Sequence, residues 1–217
     1  MRECRFFINK DWMIRAILQN CLSYRAGNGR RYQMDLPCRK AIELIKRYEP
    51  VKGYFVSFSG GKDSVVLLDL VKRTTVRYRA FFNITTVDSP ELLQFIHKYY
   101  PDVKWLKPQA TMRQAIIKNQ YPPTRIARYC CGCLKECHGH GRIILTGIRR
   151  AESTKRAKRK EIEVDYNDRT KIFIHPLFSW STQQIWQYIR TNNLSYCALY
   201  DEGFKRIGCG LCPMQTT

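Results

Sequence analysis

Tyr54-Phe55-Val56-Ser57-Phe58-Ser59-Gly60-Gly61-Lys62-Asp63-Ser64-Val65-Val66-Leu67-Leu68 is the stretch whose reading decides the fold. Residues 54–58 form a short apolar run of strand length, Ser59-Gly60-Gly61 interrupts it, and Val65, Val66, Leu67, Leu68, Leu70 and Val71 follow as a buried helix. Strand, glycine turn and helix in that order make a phosphate cradle. The glycines let the backbone approach an anion, the unpaired N–H groups of the first helical turn point at it, and the helix dipole adds positive potential. Ser59 and Ser64 offer hydroxyls, and Lys62, expected at an exposed loop position, offers a charge. The loop is not a Walker A motif, because the four-residue spacer before the Gly-Lys pair is missing. A tight turn with capping serines is the structural alternative.

Working outward, strand and helix keep alternating. Strand candidates cover Ala80 to Ile84, Val103 to Leu106, Ile143 to Leu145 and Ile172 to Ile174. Between them a helix runs from Pro90 to Tyr100, a second holds Ala115-Ile116-Ile117, and Ser181-x-x-Gln184 is a capping box opening a third through Ile185, Trp186 and Ile189. Such alternation predicts an α/β, doubly wound, mainly parallel sheet, with ligands at the carboxyl ends of the strands. The glycine turn and the Arg149 region are both expected there. Upstream, residues 1–50 read as an N-terminal helical extension in which Asp35 caps a helix with Pro37 in its first turn and Ala41, Ile42, Ile45 and Tyr48 at helical spacing. Residues 51–217 read as the nucleotide-binding domain, ending in a Cys-x-x-Cys segment.

Composition excludes several classes. With 44% hydrophobic and 12% aromatic residues in 217, the chain can bury a core. No stretch approaches the apolar length that spans a bilayer, and Met1 to Asp11 lacks a secretory apolar region, so a cytoplasmic protein without a membrane partner is expected. The net charge of +20 calls for a polyanionic partner, nucleic acid or a phosphorylated substrate. Basic residues peak between Arg149 and Lys160, where Lys155, Arg156 and Lys158 are candidates for phosphate contacts and a solvated basic loop is the competing reading.

Ten cysteines in a reducing compartment need a purpose other than disulfides. Cys130-Cys131 and the distant Cys209-x-x-Cys212 supply four thiolates, a donor set that suits a 4Fe-4S cluster or zinc. Adjacent cysteines reach two irons of a cluster more comfortably than they share one tetrahedral zinc. Zinc stays open, because Cys130-x-x-Cys133 also pairs with Cys209-x-x-Cys212 at ribbon-like spacing, and Cys137, His138 and His140 lie nearby. Cys4, Cys21, Cys38 and Cys197 read as small core or surface residues.

The Ser59–Ser64 loop resembles the pyrophosphatase (PP) loop of the adenine nucleotide alpha-hydrolase superfamily, and the rest of the chain resembles its phosphoadenosine phosphosulfate reductase family. The supporting segments are Arg128-Tyr129-Cys130-Cys131 with Leu134-Lys135, Thr146 to Ser153, Trp180 with Trp186, and Leu199 to Pro213. The resemblance implies a parallel five-stranded sheet, a nucleotide whose alpha-phosphate lies in the loop, and, for cluster-bearing members, a Cys-Cys pair with a downstream Cys-x-x-Cys. It implies a nucleotide site made of Ser59, Gly60, Gly61, Lys62, Asp63, Ser64, Gly147, Arg149 and Glu152. Lys62, Asp63, Arg149 and Arg150 would be the catalytic groups. Asp63 supports the loop or magnesium. Glu152 has two readings, a magnesium or ribose contact and a salt-bridge partner. The reductases' Asp-Thr-Gly is replaced by Thr85-Thr86-Val87-Asp88-Ser89-Pro90, and only Pro213 to Thr217 follow Cys212, where a reductase carries its nucleophilic cysteine. Both departures favour an ATP pyrophosphatase with Mg2+, acting in sulfur transfer to DNA or tRNA with a sulfur-donor protein such as a cysteine desulfurase. A reductase borrowing Cys133 or Cys137, and a catalytically silent nucleic-acid binder, are the alternatives.

Overall fold

The structure, a computed structural model, describes residues 23–25, 31–33, 35–210 and 212–213. Cys4 and Cys21 lie outside them. In the part that precedes the domain, strands β1 (Ser23–Arg25) and β2 (Arg31–Gln33) pair antiparallel, with Tyr24 opposite Tyr32. The helical extension thus carries a β-pair that the sequence reading did not anticipate, although Gly27-Asn28-Gly29 between the strands is a turn signal. Helix α1 (Leu36–Arg47) starts at Asp35, whose carboxylate accepts from the Cys38 N–H at 3.2 Å, with proline in the first turn.

Strand β3 (Tyr54–Ser57) leads through the glycine loop into helix α2 (Lys62–Lys72). Strand β4 (Tyr78–Asn83), helix α3 (Pro90–Tyr99), strand β5 (Lys104–Leu106), helix α4 (Met112–Asn119) and helix α5 (Tyr129–Leu134) follow. Strand β6 (Ile143–Leu145) ends at a 3-10 turn over Arg150–Glu152, then come helix α6 (Thr154–Ala157), strands β7 (Ile162–Val164) and β8 (Ile172–Ile174), and helix α7 (Thr182–Thr191). The Ser181 and Gln184 side chains close the expected capping box of α7.

The sheet order is β5-β4-β3-β6-β8-β7. Five strands are parallel, and β7 pairs antiparallel with β8 at the edge, so the sheet has six strands where five were expected. Strand β7 escaped the sequence reading because Ile162-Glu163-Val164, directly behind a basic run, lacks the continuous apolar run that reveals the equally short β6 and β8. From β3 the chain winds outward to β5, then returns to lay β6 on the other side of β3. That reversal opens a crevice at the carboxyl ends of β3 and β6, the place where open α/β sheets take ligands.

Helix α2 packs against α1 and α7, which accounts for its burial on nearly every side. Tyr54, Val56, Phe58, Leu67, Leu70, Ile45, Ile185, Ile189 and Trp180 share one core, and Cys38 and Cys197 sit in it as small apolar residues. Burying each large aliphatic side chain there contributes about 1.5–3 kcal/mol.

Candidate functional site

The loop between β3 and α2 is stapled by its own serines. Ser64, buried, donates to the Gly61 carbonyl at 2.8 Å and accepts the Ser59 N–H at 3.2 Å, while Ser59 is exposed. Gly60 has φ +71°, and a Cβ there would meet Leu92 Cδ1 of α3 at 2.5 Å, so glycine is required on both counts. Gly61 caps α2. Gly147 stands apart from the loop's conformation: a Cβ on it would lie 3.0 Å from the Asp63 backbone, so its role is to let the chain after β6 pass against the first turn of α2.

Lys62 is not at an exposed position. Only 5% of it is exposed, because residues 198–207 cross over it; its ammonium donates to the Lys205 carbonyl at 2.9 Å and lies 5.0 Å over the Tyr200 ring. Burial holds its pKa below the usual lysine value, against the raising pull of Asp63.

Arg149 is 2% exposed. Its Nε donates to Asp63 Oδ1 at 2.6 Å and its Nη1 to the Trp180 carbonyl and Thr182 Oγ1, so one guanidinium ties the chain after β6 to the first turn of α2 and the start of α7. Asp63 supports the loop through this pair. Glu152 is engaged as an ion-pair partner: Oε1 accepts the Arg149 N–H at 2.9 Å and Oε2 takes the Arg156 guanidinium. Arg150 is exposed beside them.

Arg156, read as a candidate phosphate contact, is therefore half-buried on Glu152, and Arg159 is likewise committed to Glu163. Lys155, Lys158 and Lys160 join Arg150 as the exposed cations of this segment. Arg206, close enough to influence both Lys62 and Arg156, adds an exposed charge at the mouth of the crevice. Within the run from Leu199 to Pro213, nothing in the sequence singles out Tyr200, Lys205 or Arg206, because their meeting with Lys62 is made across 138 residues of chain or more.

Behind Gly147, His175 is fully buried between Thr146 Oγ1, 2.7 Å from Nδ1, and Glu163 Oε1, 3.3 Å from Nε2. Burial, helped by the nearby Arg159 charge, pushes its pKa down to about 4 from 6.5. The folded state thus favours neutral imidazole, and the stability it contributes is complete above pH 6.5 and drains as pH falls toward 4. That loss should reach about 3 kcal/mol in wild type, and thermal melts at pH 7.5 and 4.5 should show it shrinking in His175→Gln.

Cys130 and Cys131 on α5 and Cys209 and Cys212 of the C-terminal segment line one cavity, together with Lys135. Arg128 Nη2 donates to Cys131 Sγ at 3.3 Å, and Lys135 sits against Cys209 and Cys131. Burial, then the neighbouring Cys131, pushes the Cys130 thiol up to about 11. The segment is pinned by the Gly210 N–H on the Val87 carbonyl at 2.8 Å and by Arg125 Nε on the Pro213 carbonyl at 3.1 Å. Among the described residues no three His, Cys, Asp or Glu side chains come close enough together to hold a metal ion, so the four thiols share a cavity without forming a finished site. Cys133, Cys137, His138 and His140 do not line it: His138 bonds the Lys107 carbonyl, and His140 bonds Asp168 Oδ2 and the Cys137 carbonyl.

The switch-point crevice, its serine-glycine loop and the strand order define a doubly wound α/β protein of the adenine nucleotide alpha-hydrolase-like fold. Residues 53–215 match the phosphoadenosine phosphosulfate reductase domain, and the chain belongs to that family. It is 31% identical to an uncharacterized protein of Methanocaldococcus jannaschii over 97% of this chain and 48% of that one. It is 27% identical to an adenosine 5'-phosphosulfate reductase of Bacillus cereus over 78% of this chain and 76% of that one. The chain spans about half the length of the two Methanocaldococcus proteins it resembles. Among solved structures it is similar in fold to a phosphoadenylyl-sulfate reductase from Candida auris in a phosphate complex, with TM-score 0.60 and 21% identity over 80% of this chain and 89% of that one. It is also similar in fold to the FMN adenylyltransferase of Candida glabrata with FAD and inorganic pyrophosphate, with TM-score 0.57 and 17% identity over 80% and 64%. Characterised members of this group are enzymes. No helix among the described residues is long and apolar enough to cross a membrane.

Proposed function

We propose that the chain is an ATP pyrophosphatase that adenylates an acceptor for sulfur transfer to nucleic acid. The observation that carries the reading is the serine-glycine loop opening α2 at the switch point, with Lys62 and Arg206 at its mouth and the four-cysteine cavity continuous with the same C-terminal segment. ATP would enter as its magnesium complex with the alpha-phosphate at the first turn of α2. An acceptor oxygen attacks the alpha-phosphorus, the bond to the bridging oxygen breaks, and pyrophosphate leaves. Lys62, Arg150 and Arg206 offset the charge that develops on the phosphates. Arg149 acts through Asp63, as a positioning residue. The thiols of Cys130, Cys131, Cys209 and Cys212, with Lys135 and Arg128 beside them, suit the donor set and negative charge of a 4Fe-4S cluster, with zinc as the alternative. When bound, such a centre would supply a soft site for sulfur.

A second reading, reduction of adenylyl sulfate, draws on the similarity to the Bacillus cereus protein. It needs a mobile thiolate, and burial holds the Cys133 thiol above its ordinary pKa. Pyrophosphate release from ATP, assayed beside sulfite release from adenylyl sulfate with a thiol reductant, separates the two. The polyanion partner is tested by salt titration on an oligonucleotide duplex. Neutralising Lys155, Lys158 and Lys160 together should flatten the slope of log affinity against log salt by up to about 3, at about 0.9 per phosphate contact. An unchanged slope would leave the segment a solvated loop.

A further inference from the structure

The first turn of α2 faces a tyrosine. Tyr200, closing the 3-10 turn Ala198–Tyr200, accepts the Lys62 N–H at 2.9 Å, and the Ile207 N–H bears on the same oxygen. A phenol oxygen drawing backbone N–H groups at a helix N-terminus stands where an anionic oxygen would be held. The fit is close: a Cβ on Gly61 would come 3.4 Å from that oxygen, which leaves no space for a phosphate group between them. The Lys62 ammonium is taken by the same strap, through the Lys205 carbonyl and the Tyr200 ring. Trp186 holds the strap from behind, edge-on to Tyr200 and to Tyr196 at 5.2 Å each, and the Tyr196 hydroxyl donates to Asp201 Oδ1 at 3.0 Å.

We propose that residues 198–207 form a gate on the phosphate loop, in which the Tyr200 hydroxyl and the Lys205 carbonyl are internal competitors that a polyphosphate displaces. The proposal rests on the reading of this loop as the nucleotide site. Burial pushes the Tyr200 phenol up, so it remains a neutral oxygen, a weaker partner for the loop amides than a phosphate. Displacing it frees the Lys62 N–H and the Lys62 ammonium together, which makes release of the loop and arrival of its charge a single event. The strap runs on through Arg206 to Cys209, so its movement is transmitted to the segment that carries two of the four thiols.

The test compares wild type, Tyr200→Phe and Lys62→Ala in calorimetric titrations with magnesium ATP and with inorganic pyrophosphate. Phenylalanine keeps the ring against Trp186 and removes only the competing oxygen. Tyr200→Phe should bind both ligands roughly three- to tenfold more tightly, the worth of one hydrogen bond, and Trp186 emission should change on binding in wild type. Equal affinity in Tyr200→Phe would show that the hydroxyl does not compete, and weaker affinity would make it a ligand contact; either result overturns the gate. Binding that survives Lys62→Ala unchanged would place the anion elsewhere and overturn the nucleotide reading itself. Loss of binding in Lys62→Ala with no gain in Tyr200→Phe would overturn the gate alone.

Discussion

Arg149→Met should lower the unfolding free energy by about 3–5 kcal/mol, the usual cost of stripping one partner from a buried ion pair. The methionine fills the same space, so what is lost is the guanidinium that holds Asp63 Oδ1, the Trp180 carbonyl and Thr182 at once. Asp63, mostly buried at the second residue of the helix whose first turn is the phosphate loop, then keeps only the Lys62 ammonium, 3.8 Å from Oδ2, as a counter-charge and loses its close hydrogen-bonded partner. The double variant Arg149→Met with Asp63→Asn should recover part of the loss, because the carboxylate stripped of its close partner is gone and only the weaker, longer Lys62 contact is given up. Urea unfolding of the single and double variants measures it; a double variant no more stable than Arg149→Met would show that the cost lies in packing. ATP affinity should fall in both, since the pair fixes the loop against the chain after β6.

The second large effect is all or none. Protein prepared without oxygen should be brown and hold iron and acid-labile sulfide near four each per chain, the content of one four-cysteine cubane cluster. Cys131→Ala or Cys209→Ala should bleach it, because each removes one of the four sulfurs that line the cavity. Cys133→Ala should keep its colour, since Cys133 lies outside that lining and its thiol faces the Cys130 carbonyl. Stoichiometric zinc without visible absorbance, lost on Cys133→Ala, would instead support a ribbon of Cys130, Cys133, Cys209 and Cys212.

Elements with a strong local signal were legible in the sequence. Tyr54 to Leu68 announced β3, the loop and α2, and the Ser181–Gln184 capping box, Asp35 and Pro90 marked helix starts. What stayed hidden depends on partners far apart in the chain. Asp63 meets Arg149 across 86 residues and Lys62 meets Lys205 across 143, and no periodicity records either pairing. That is why Lys62 read as exposed and Arg149 as a phosphate contact. The four thiols named from pairwise spacing line one cavity, and that Cys131 rather than Cys133 faces it follows from the direction of a six-residue helix. Strands β7 and β1–β2 were missed because Ile162-Glu163-Val164, Ser23-Tyr24-Arg25 and Arg31-Tyr32-Gln33 lack the continuous apolar run that reveals the equally short β6 and β8.

The reversal that places β6 beside β3 also fixes a schedule for the growing chain. Strand β3 ends at Ser57 and β6 begins at Ile143, so a ribosome adding about 5–20 residues per second needs roughly 4–17 s to deliver the neighbour. During that interval β3 pairs only with β4, and a strand destined for the centre of the sheet is temporarily its edge, offering unpaired amides and carbonyls along residues as apolar as Tyr54, Phe55 and Val56. Parallel pairing over such a separation is slow to close. The topology that creates the nucleotide crevice therefore exposes the nascent chain to self-association until β6 emerges, and assembles the crevice only after most of the domain has been made.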